Sequence, residues 1–329
     1  MRALVTGGAG FIGSHLALRL RAEGAEVVVA ALPGEPTALL ESAGVTVLRG
    51  DVRDSRHCAQ AVSGCELVFH LAALAKLWGP HRLFMEVNVG GTRNVLAAAA
   101  AAGARRLVLV SSLAVHNFSG YRCGDENAPR DGCLTPYSES KILAEDHARD
   151  FHAHGRLQTV IVRPGLFPFG PRDRTAFLPL ARGLEQGRFA HVAGGRALLC
   201  TAYVENLVEG LWLAGVRTAA TGETFVIGDP APVRWVDLIE RFCTAIGAPR
   251  PRRTIPAWTA RLAATALETL YRSNLVHGEP VINRYLVAQV SRDFYFSSAK
   301  AERLLGYRAP VDLDTAVART AAWYTTARG

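Results

Sequence analysis

The chain has 329 residues, 49% of them hydrophobic and 20% charged, with a formal net charge of +8. That balance fits a globular protein with a large buried core and excludes a disordered or low-complexity chain. Of the 37 basic residues only three, Lys76, Lys141 and Lys300, are lysine, and the arginines are scattered rather than gathered, so no nucleic-acid partner is expected.

Along the first half, short apolar runs alternate with helix-like stretches. Strands are predicted at Ala3–Val5, Glu26–Ala30, Val45–Leu48, Leu67–His70, Arg106–Val110 and Thr159–Val162, with helices near Phe11–Glu23, Arg56–Val62, Glu86–Ala102, Pro136–His154 and Val204–Gly215. Strands that are apolar throughout, rather than alternating, belong to a parallel sheet covered on both faces. The first strand runs into Thr6-Gly7-Gly8-Ala9-Gly10-Phe11-Ile12-Gly13, a glycine-rich loop between strand and helix. In that context Gly7 permits a tight turn, Gly10 lets backbone approach a pyrophosphate, and Gly13 lets helix and strand pack closely; the helix N-terminus at Phe11 and Ile12 offers free N–H groups to the anion.

The second strand should end in an acid if a ribose 2′-hydroxyl is gripped in the usual NAD manner, yet it reads Val27-Val28-Val29-Ala30-Ala31-Leu32-Pro33. No arginine replaces the acid, and Glu35 and Arg53 are the remaining candidates for its work. NAD(H) is favoured over NADP(H). After the third strand, Asp51-Val52 is placed to meet an adenine, and after the fourth, Leu71-Ala72-Ala73 is expected to line the cofactor with backbone.

Ser111-Ser112 ends the fifth strand, and Tyr137-Ser138-Glu139-Ser140-Lys141 opens the helix that follows. A Tyr-x-x-x-Lys arises by chance in roughly 7% of chains with this composition, so the pair gains its weight from the glycine loop and the serines. Tyr137 and Lys141 lie one turn apart on one helix face. A neighbouring cation is expected to lower the tyrosine pKa by roughly 1–3 units, readying the phenol to exchange a proton with a substrate oxygen that Ser112 orients. Lys141 would also hold the ribose hydroxyls.

After Arg163-Pro164-Gly165 the alternation gives way to segments punctuated by proline and glycine, although Val204–Gly215 and Thr224–Ile227 read as a helix and strand that return to the sheet. Residues 1–165, rejoined by about 200–228, are expected to form the dinucleotide-binding domain, with 166–199 and 229–329 as the substrate-binding region. The six cysteines (Cys58, Cys65, Cys123, Cys133, Cys200, Cys243) contain no C-x-x-C pair, so reduced thiols in a cytoplasm are expected rather than a zinc site or a disulfide framework. Met1-Arg2 leads straight into the first strand, leaving no room for a signal peptide. The most apolar stretch, Ile255 to Val276, is broken by Arg261, Glu268 and Arg272. Within it Trp258, Leu262, Ala266 and Leu270 follow a helical spacing; core packing is the expected role of that stripe, and contact with a membrane surface the alternative.

Together these features resemble the extended short-chain dehydrogenase/reductase family over essentially the whole chain. The family's pattern also shows in Asn88-Val89-Gly90-Gly91-Thr92-Arg93-Asn94-Val95, Arg163-Pro164, Gly170-Pro171-Arg172-Asp173 and Leu304-Leu305-Gly306-Tyr307. Tyr203-Val204-Glu205-Asn206-Leu207-Val208 is similar to the 3β-hydroxysteroid dehydrogenase and sterol-4α-carboxylate 3-dehydrogenase branch. The resemblance implies a Rossmann-type doubly wound parallel sheet with a smaller, interleaved substrate-binding region. It further implies hydride transfer with NAD(H) or NADP(H), Ser112, Tyr137 and Lys141 as catalytic residues, Asn88 and Pro164 beside the cofactor, an apolar substrate, and a homodimer packed through helices Glu86–Ala102 and Pro136–His154. His116-Asn117 and Arg172 depart from the family's pattern, the first on the substrate side. The competing function on the same fold is a nucleotide-sugar epimerase or dehydratase. Against it, Leu198-Leu199 stands where an arginine for the diphosphate is expected, and Leu113-Ala114 where a dehydratase needs a carboxyl group.

Overall fold

The computed structural model describes residues 1–132, 134–273, 278 and 280–328. Cys133 and the end of the Ile255–Val276 stretch, residues 274–276, lie outside the described residues. Seven parallel strands form the central sheet in the order Thr224–Ile227, Gln158–Pro164, Arg106–Val110, Leu67–His70, Arg2–Thr6, Glu26–Ala31, Thr46–Arg49. The six strands predicted in the first half all appear, each within two residues of its expected ends, and Thr224–Ile227 returns to pair with Gln158–Pro164. Alternate residues of each strand feed two separate cores: Ala3, Val5, Val27, Val29, Leu67 and Phe69 on one face, Leu4, Val28, Ala30 and Val68 on the other. Burial on both faces is why these strands are apolar throughout.

The chain steps outward from Arg2–Thr6 to Thr46–Arg49, then crosses back to place Leu67–His70 on the other side of the first strand. That reversal opens a crevice at the carboxyl ends of these two strands, the position at which open α/β sheets bind ligands. The glycine loop and Leu71-Ala72-Ala73 both lie there.

One predicted helix is interrupted. The stretch expected over Glu86–Ala102 is a π-helical turn, Met85–Gly90, followed by an α-helix, Gly91–Ala101, and a short helix, His81–Phe84, leads into it. A π turn inserts one residue into the helical repeat, a device that recurs at functional sites. Here it carries Asn88, which is 1% exposed.

The remaining segments form a smaller layer. Its four-stranded sheet has the order Val233–Arg234, Leu198–Leu199, Phe294–Phe296, Tyr121–Gly124, so a loop of the first half pairs with a strand near the chain's end. Several family-pattern residues are ties between the layers. Asn206 reaches both Asp229 and the Val311 carbonyl at 2.8 Å, and the Tyr307 hydroxyl donates to the Gly228 carbonyl at 3.1 Å. Asp173 accepts from the N–H groups of Thr175, Ala176 and Phe177 and so starts the helix Phe177–Glu185. Arg172 adopts a left-handed φ of +70°, consistent with a position that relatives give to glycine.

The helix Ala257–Arg272 turns its stripe outward, against the expectation of core packing: Trp258 is 67% and Leu262 62% exposed, and Ala260, Ala264 and Glu268 are its buried side. Glu268 lies under the helix because Arg284 and Arg272 neutralise it there. Among the described residues, no helix is long and apolar enough to cross a membrane.

Candidate active site

The glycine loop has the shape that a dinucleotide requires. Gly7 has φ +66°, and a Cβ there would lie 2.8 Å from the Ala72 nitrogen, while one at Gly13 would lie 2.2 Å from the Gly7 carbonyl. Gly10 caps the helix Phe11–Ala22 without any side-chain hydrogen bond, leaving the first-turn N–H groups of Phe11 and Ile12 without a capping side chain. A cradle of bare backbone at a helix N-terminus fits a pyrophosphate.

Behind the loop runs a directed chain of hydrogen bonds that the sequence reading did not find. The Ala72 N–H donates to Thr6 Oγ1 at 3.2 Å, and Thr6 Oγ1 lies 2.7 Å from His70 Nδ1. On the other side His70 Nε2 lies 3.0 Å from Thr92 Oγ1, which donates to the Asn88 carbonyl. Because Thr92 spends its proton on that carbonyl, Nε2 must donate, and with burial keeping the ring neutral Nδ1 accepts from the Thr6 hydroxyl. Burial pushes its pKa down to about 3, with Lys141 adding to the effect. Nothing in the local sequence marks His70 as more than a strand residue.

Asn88 holds the next layer. Its Oδ1 accepts from Leu74 N–H at 2.7 Å and its Nδ2 donates to Ser140 Oγ at 2.9 Å, while Ser140 Oγ donates to the Tyr137 carbonyl at 2.8 Å. Asn88, expected beside the cofactor, is a positioning residue: the two ends of its buried amide join the loop after Leu67–His70 to the first turn of Pro136–Ala153.

That first turn begins at Thr135, whose Oγ1 accepts from the Ser138 N–H, with Pro136 at the start of the helix. It brings Ser112, Tyr137 and Lys141 together. The Ser112 hydroxyl lies beside the Tyr137 phenol, and Lys141 Nζ lies 6.0 Å from the centre of the Tyr137 ring. Lys141 is 5% exposed and donates to the Val110 carbonyl at 2.8 Å. Burial lowers its pKa to about 8, against the pull of Glu145. The phenol does not follow the expectation of a lowered pKa. Burial raises it, and the nearby Ser112 hydroxyl offsets this only in part. With its ammonium drawn to the Val110 carbonyl, Lys141 leaves desolvation dominant at the ring.

Ser111 belongs to a different network. Its hydroxyl donates to Glu145 Oε1 at 2.6 Å, and Arg163 holds the same carboxylate through Nε at 2.8 Å and a terminal nitrogen at 2.7 Å. Burial pushes Glu145 up, but the Arg163 bonds and charge outweigh it and the pKa is lowered. His116 is fully buried on Arg163, with Nδ1 2.7 Å from the Pro129 carbonyl and its ring stacked on Phe296 at 4.7 Å. It is a core residue, not a pocket wall as its departure from the family suggested.

The other expected cofactor positions lie around the crevice. Leu71, Ala72 and Ala73 are partly buried beside the glycine loop, Val52 packs beneath Gly91, and Pro164 is buried at the end of its strand. Asp51 is 30% exposed at the rim and is held by Arg53, whose Nε and terminal nitrogen lie 3.0 and 2.7 Å from Oδ2. Arg53 keeps that carboxylate below the ordinary range. Glu126 accepts from Val226 N–H, and His191 pairs with Thr254 at the smaller layer.

In the neighbourhood of Tyr137 stands Tyr285, from the helix Arg284–Ser291. Burial and the neighbouring Tyr137 push its phenol far above its usual range. Its ring meets Phe118 edge-on at 4.9 Å, and Phe118 packs on Phe294 at 4.5 Å. The stretch where a sugar-nucleotide enzyme would present an arginine is sheet: Leu199 is 2% exposed and pairs with Phe294.

Comparison with known proteins agrees with this geometry. Residues 3–228 match the NAD dependent epimerase/dehydratase family. The chain is 32% identical to a 2-alkyl-3-oxoalkanoate reductase of Stenotrophomonas maltophilia over 330 residues, covering 97% of this chain and 98% of that protein. It is also 32% identical to a 3 beta-hydroxysteroid dehydrogenase/Delta 5-->4-isomerase of Mycobacterium tuberculosis, covering 93% of this chain and 85% of that one. The crystal structure of gox2253 superposes with a TM-score of 0.83 at 29% identity, covering 99% of this chain and 98% of that one.

Proposed function

The chain belongs to the NAD dependent epimerase/dehydratase family and is an NAD-dependent oxidoreductase of the extended short-chain kind, and from that premise we propose that it interconverts a secondary alcohol and a ketone on a lipid-like or steroid-like substrate. The observation that carries this reading is the meeting of Ser112, Tyr137 and Lys141 at the carboxyl end of the sheet, opposite the aromatic wall of Tyr285 and Phe118. Bound NAD(H) supplies the hydride acceptor or donor. Ser112 orients the substrate oxygen, Tyr137 takes its proton in oxidation or returns one in reduction, and Lys141 keeps positive charge beside the exchange. A phenol raised above its usual pKa holds its proton at neutral pH, which suits reduction of a ketone. If the carbon beside a newly formed ketone carries a carboxylate, the β-keto acid loses carbon dioxide and takes up a proton without a further catalytic group.

An apolar substrate is favoured over a sugar nucleotide because the position for a diphosphate-binding arginine is filled by Leu198 and Leu199, and a buried, unpaired phosphate would be costly. The test is absorbance at the reduced-nicotinamide band, with NAD and NADP in parallel, against 3β-hydroxysteroids, 4-carboxysterols, 3-hydroxy fatty acids and sugar nucleotides. Reduction of the cofactor by a lipid alcohol, lost in Tyr137→Phe with cofactor binding kept, is the expected result. Conversion of a sugar nucleotide without net cofactor change would replace this reading by the epimerase one.

The proposal extends to two surfaces. The outward stripe of Trp258 and Leu262, close in sequence to exposed Arg250, Arg252, Arg253 and Arg261, supports peripheral contact with an anionic membrane, from which substrate would pass to Tyr285 on the helix packed against it. The helices Gly91–Ala101 and Pro136–Ala153, which pack together and leave Leu143 exposed, are the proposed faces of a homodimer.

A further inference from the structure

The strand Glu26–Ala31 lacks a terminal acid, but the four residues after it carry one back to the same place. In Leu32-Pro33-Gly34-Glu35 the Glu35 N–H donates to the Leu32 carbonyl at 3.2 Å, and Gly34 has φ +86°. Proline second and a left-handed glycine third are what a type II turn demands. The turn folds Glu35 back so that its Oε2 accepts from the Leu32 N–H at 2.8 Å. Arg49 fastens the arrangement by donating to the Glu35 carbonyl at 3.1 Å and to Thr37 Oγ1 at 2.7 Å.

The direction of that N–H follows from the backbone. The Ala31 carbonyl accepts from Gly50 N–H at 2.9 Å, on the side of the strand Thr46–Arg49. Across a planar trans peptide the Leu32 N–H points the opposite way, toward the glycine loop, whose Gly7 N–H donates to the Ala30 carbonyl at 3.0 Å. The Glu35 carboxylate therefore stands at the end of the second strand on the side of the glycine loop. It has about four acceptor sites, one of which Leu32 uses. Arg53, the other candidate for this work, is committed to Asp51.

We propose that Glu35 takes the adenosine ribose hydroxyls and sets a preference for NAD(H) over NADP(H). The inference rests on the dinucleotide site read above. A carboxylate accepts hydrogen bonds from vicinal hydroxyls and repels a 2′-phosphate. Since it comes from a turn and not from the strand, the usual sequence discriminator misses it.

The test is equilibrium binding of NADH and NADPH, followed by quenching of protein fluorescence, for the unaltered protein, Glu35→Gln and Glu35→Ala. The glutamine variant keeps an acceptor for Leu32 N–H and so preserves the turn while removing the charge. The expected result is a preference of at least about tenfold for NADH in the unaltered protein, reduced to about threefold or less in both variants through tighter NADPH binding. An unchanged ratio in both variants, or equal binding of the two cofactors by the unaltered protein, overturns the role of Glu35 and leaves the site reading standing. Binding of neither dinucleotide overturns both.

Discussion

Ser111 and Glu145 are joined by a 2.6 Å hydrogen bond between two fully buried groups, and this contact separates the two serines that end the fifth strand. Ser111 faces the Glu145–Arg163 pair under the helix, and Ser112, the next residue and so on the opposite side of the extended backbone, meets Tyr137. Ser112→Ala is therefore expected to lower kcat by about 10²-fold with little change in melting temperature. Ser111→Ala should behave the other way, losing about 1–2 kcal/mol of stability with kcat nearly kept, because a buried carboxylate loses a donor. Steady-state kinetics and thermal melts of the two variants distinguish them, and equal kinetic losses would mean that the serines share the task.

A second expectation concerns alkaline pH. Burial holds Lys141 at about 8, below the usual lysine value. The profile of kcat/KM reports the free enzyme. It should fall through pH 8 as the ammonium that supports Tyr137 is lost. Stability responds with the opposite sign: as pH rises from about 8 to 10.5 the unfolded chain holds its proton longer than the native one, so this lysine alone makes the native state more stable. In Lys141→Arg the residual activity should lack the limb near pH 8, since a guanidinium stays charged. A limb at the same pH in that variant would assign it to another group.

Much of this was legible in the chain because local chemistry and fold agree. Leu67–His70 and Arg106–Val110 occur with their predicted ends, being short apolar runs bounded by turns. The glycine loop and the Ser112, Tyr137, Lys141 set needed only the strand-loop-helix context. What was not legible depends on contacts between distant parts of the chain. The burial of His116 comes from Arg163 and Phe296, and the pairing of Tyr121–Gly124 with Phe294–Phe296 joins segments about 170 positions apart. The π turn at Met85–Gly90 and the inward amide of Asn88 leave no mark on periodicity. Trp258 was misjudged because helical spacing gives a face without saying which way that face points.

The outward face of Ala257–Arg272 leads to a prediction about membranes. Purified protein should co-sediment with vesicles containing phosphatidylglycerol at low salt, less with phosphatidylcholine alone, and progressively less as salt screens the arginines. Trp258→Ser with Leu262→Ser, both at exposed positions, should weaken binding by about tenfold without changing the melting temperature. No sedimentation with anionic vesicles at low salt removes the membrane from the proposal.

Acid should destabilise the fold before it titrates most carboxylates. Burial pushes His15 down to about 4, His70 to about 3 and His116 to about 4, all below the ordinary 6.5. For His116 and His70 the bonding adds a reason to resist protonation. His116 Nδ1 faces the Pro129 carbonyl, which only accepts, so its proton is there and Nε2 accepts from Arg163 at 3.3 Å; a second proton would point at a guanidinium. His70 accepts at Nδ1 from the Thr6 hydroxyl, and a second proton there would turn that hydroxyl away and put an imidazolium in a buried site near Lys141. The stability these rings contribute is complete above pH 6.5, where both states are neutral. It is lost as pH falls toward 4, because the unfolded chain binds protons that the native one refuses. Thermal melts should therefore show the midpoint falling between pH 6.5 and 4, and calorimetry at pH 5 should show uptake of about three protons on unfolding from these sites. In His116→Gln, whose side chain can still meet Pro129 and Arg163, the fall should be shallower and the uptake about one proton less. A midpoint that stays level from pH 6.5 to 4.5 would mean that these rings open to solvent and take up protons without unfolding.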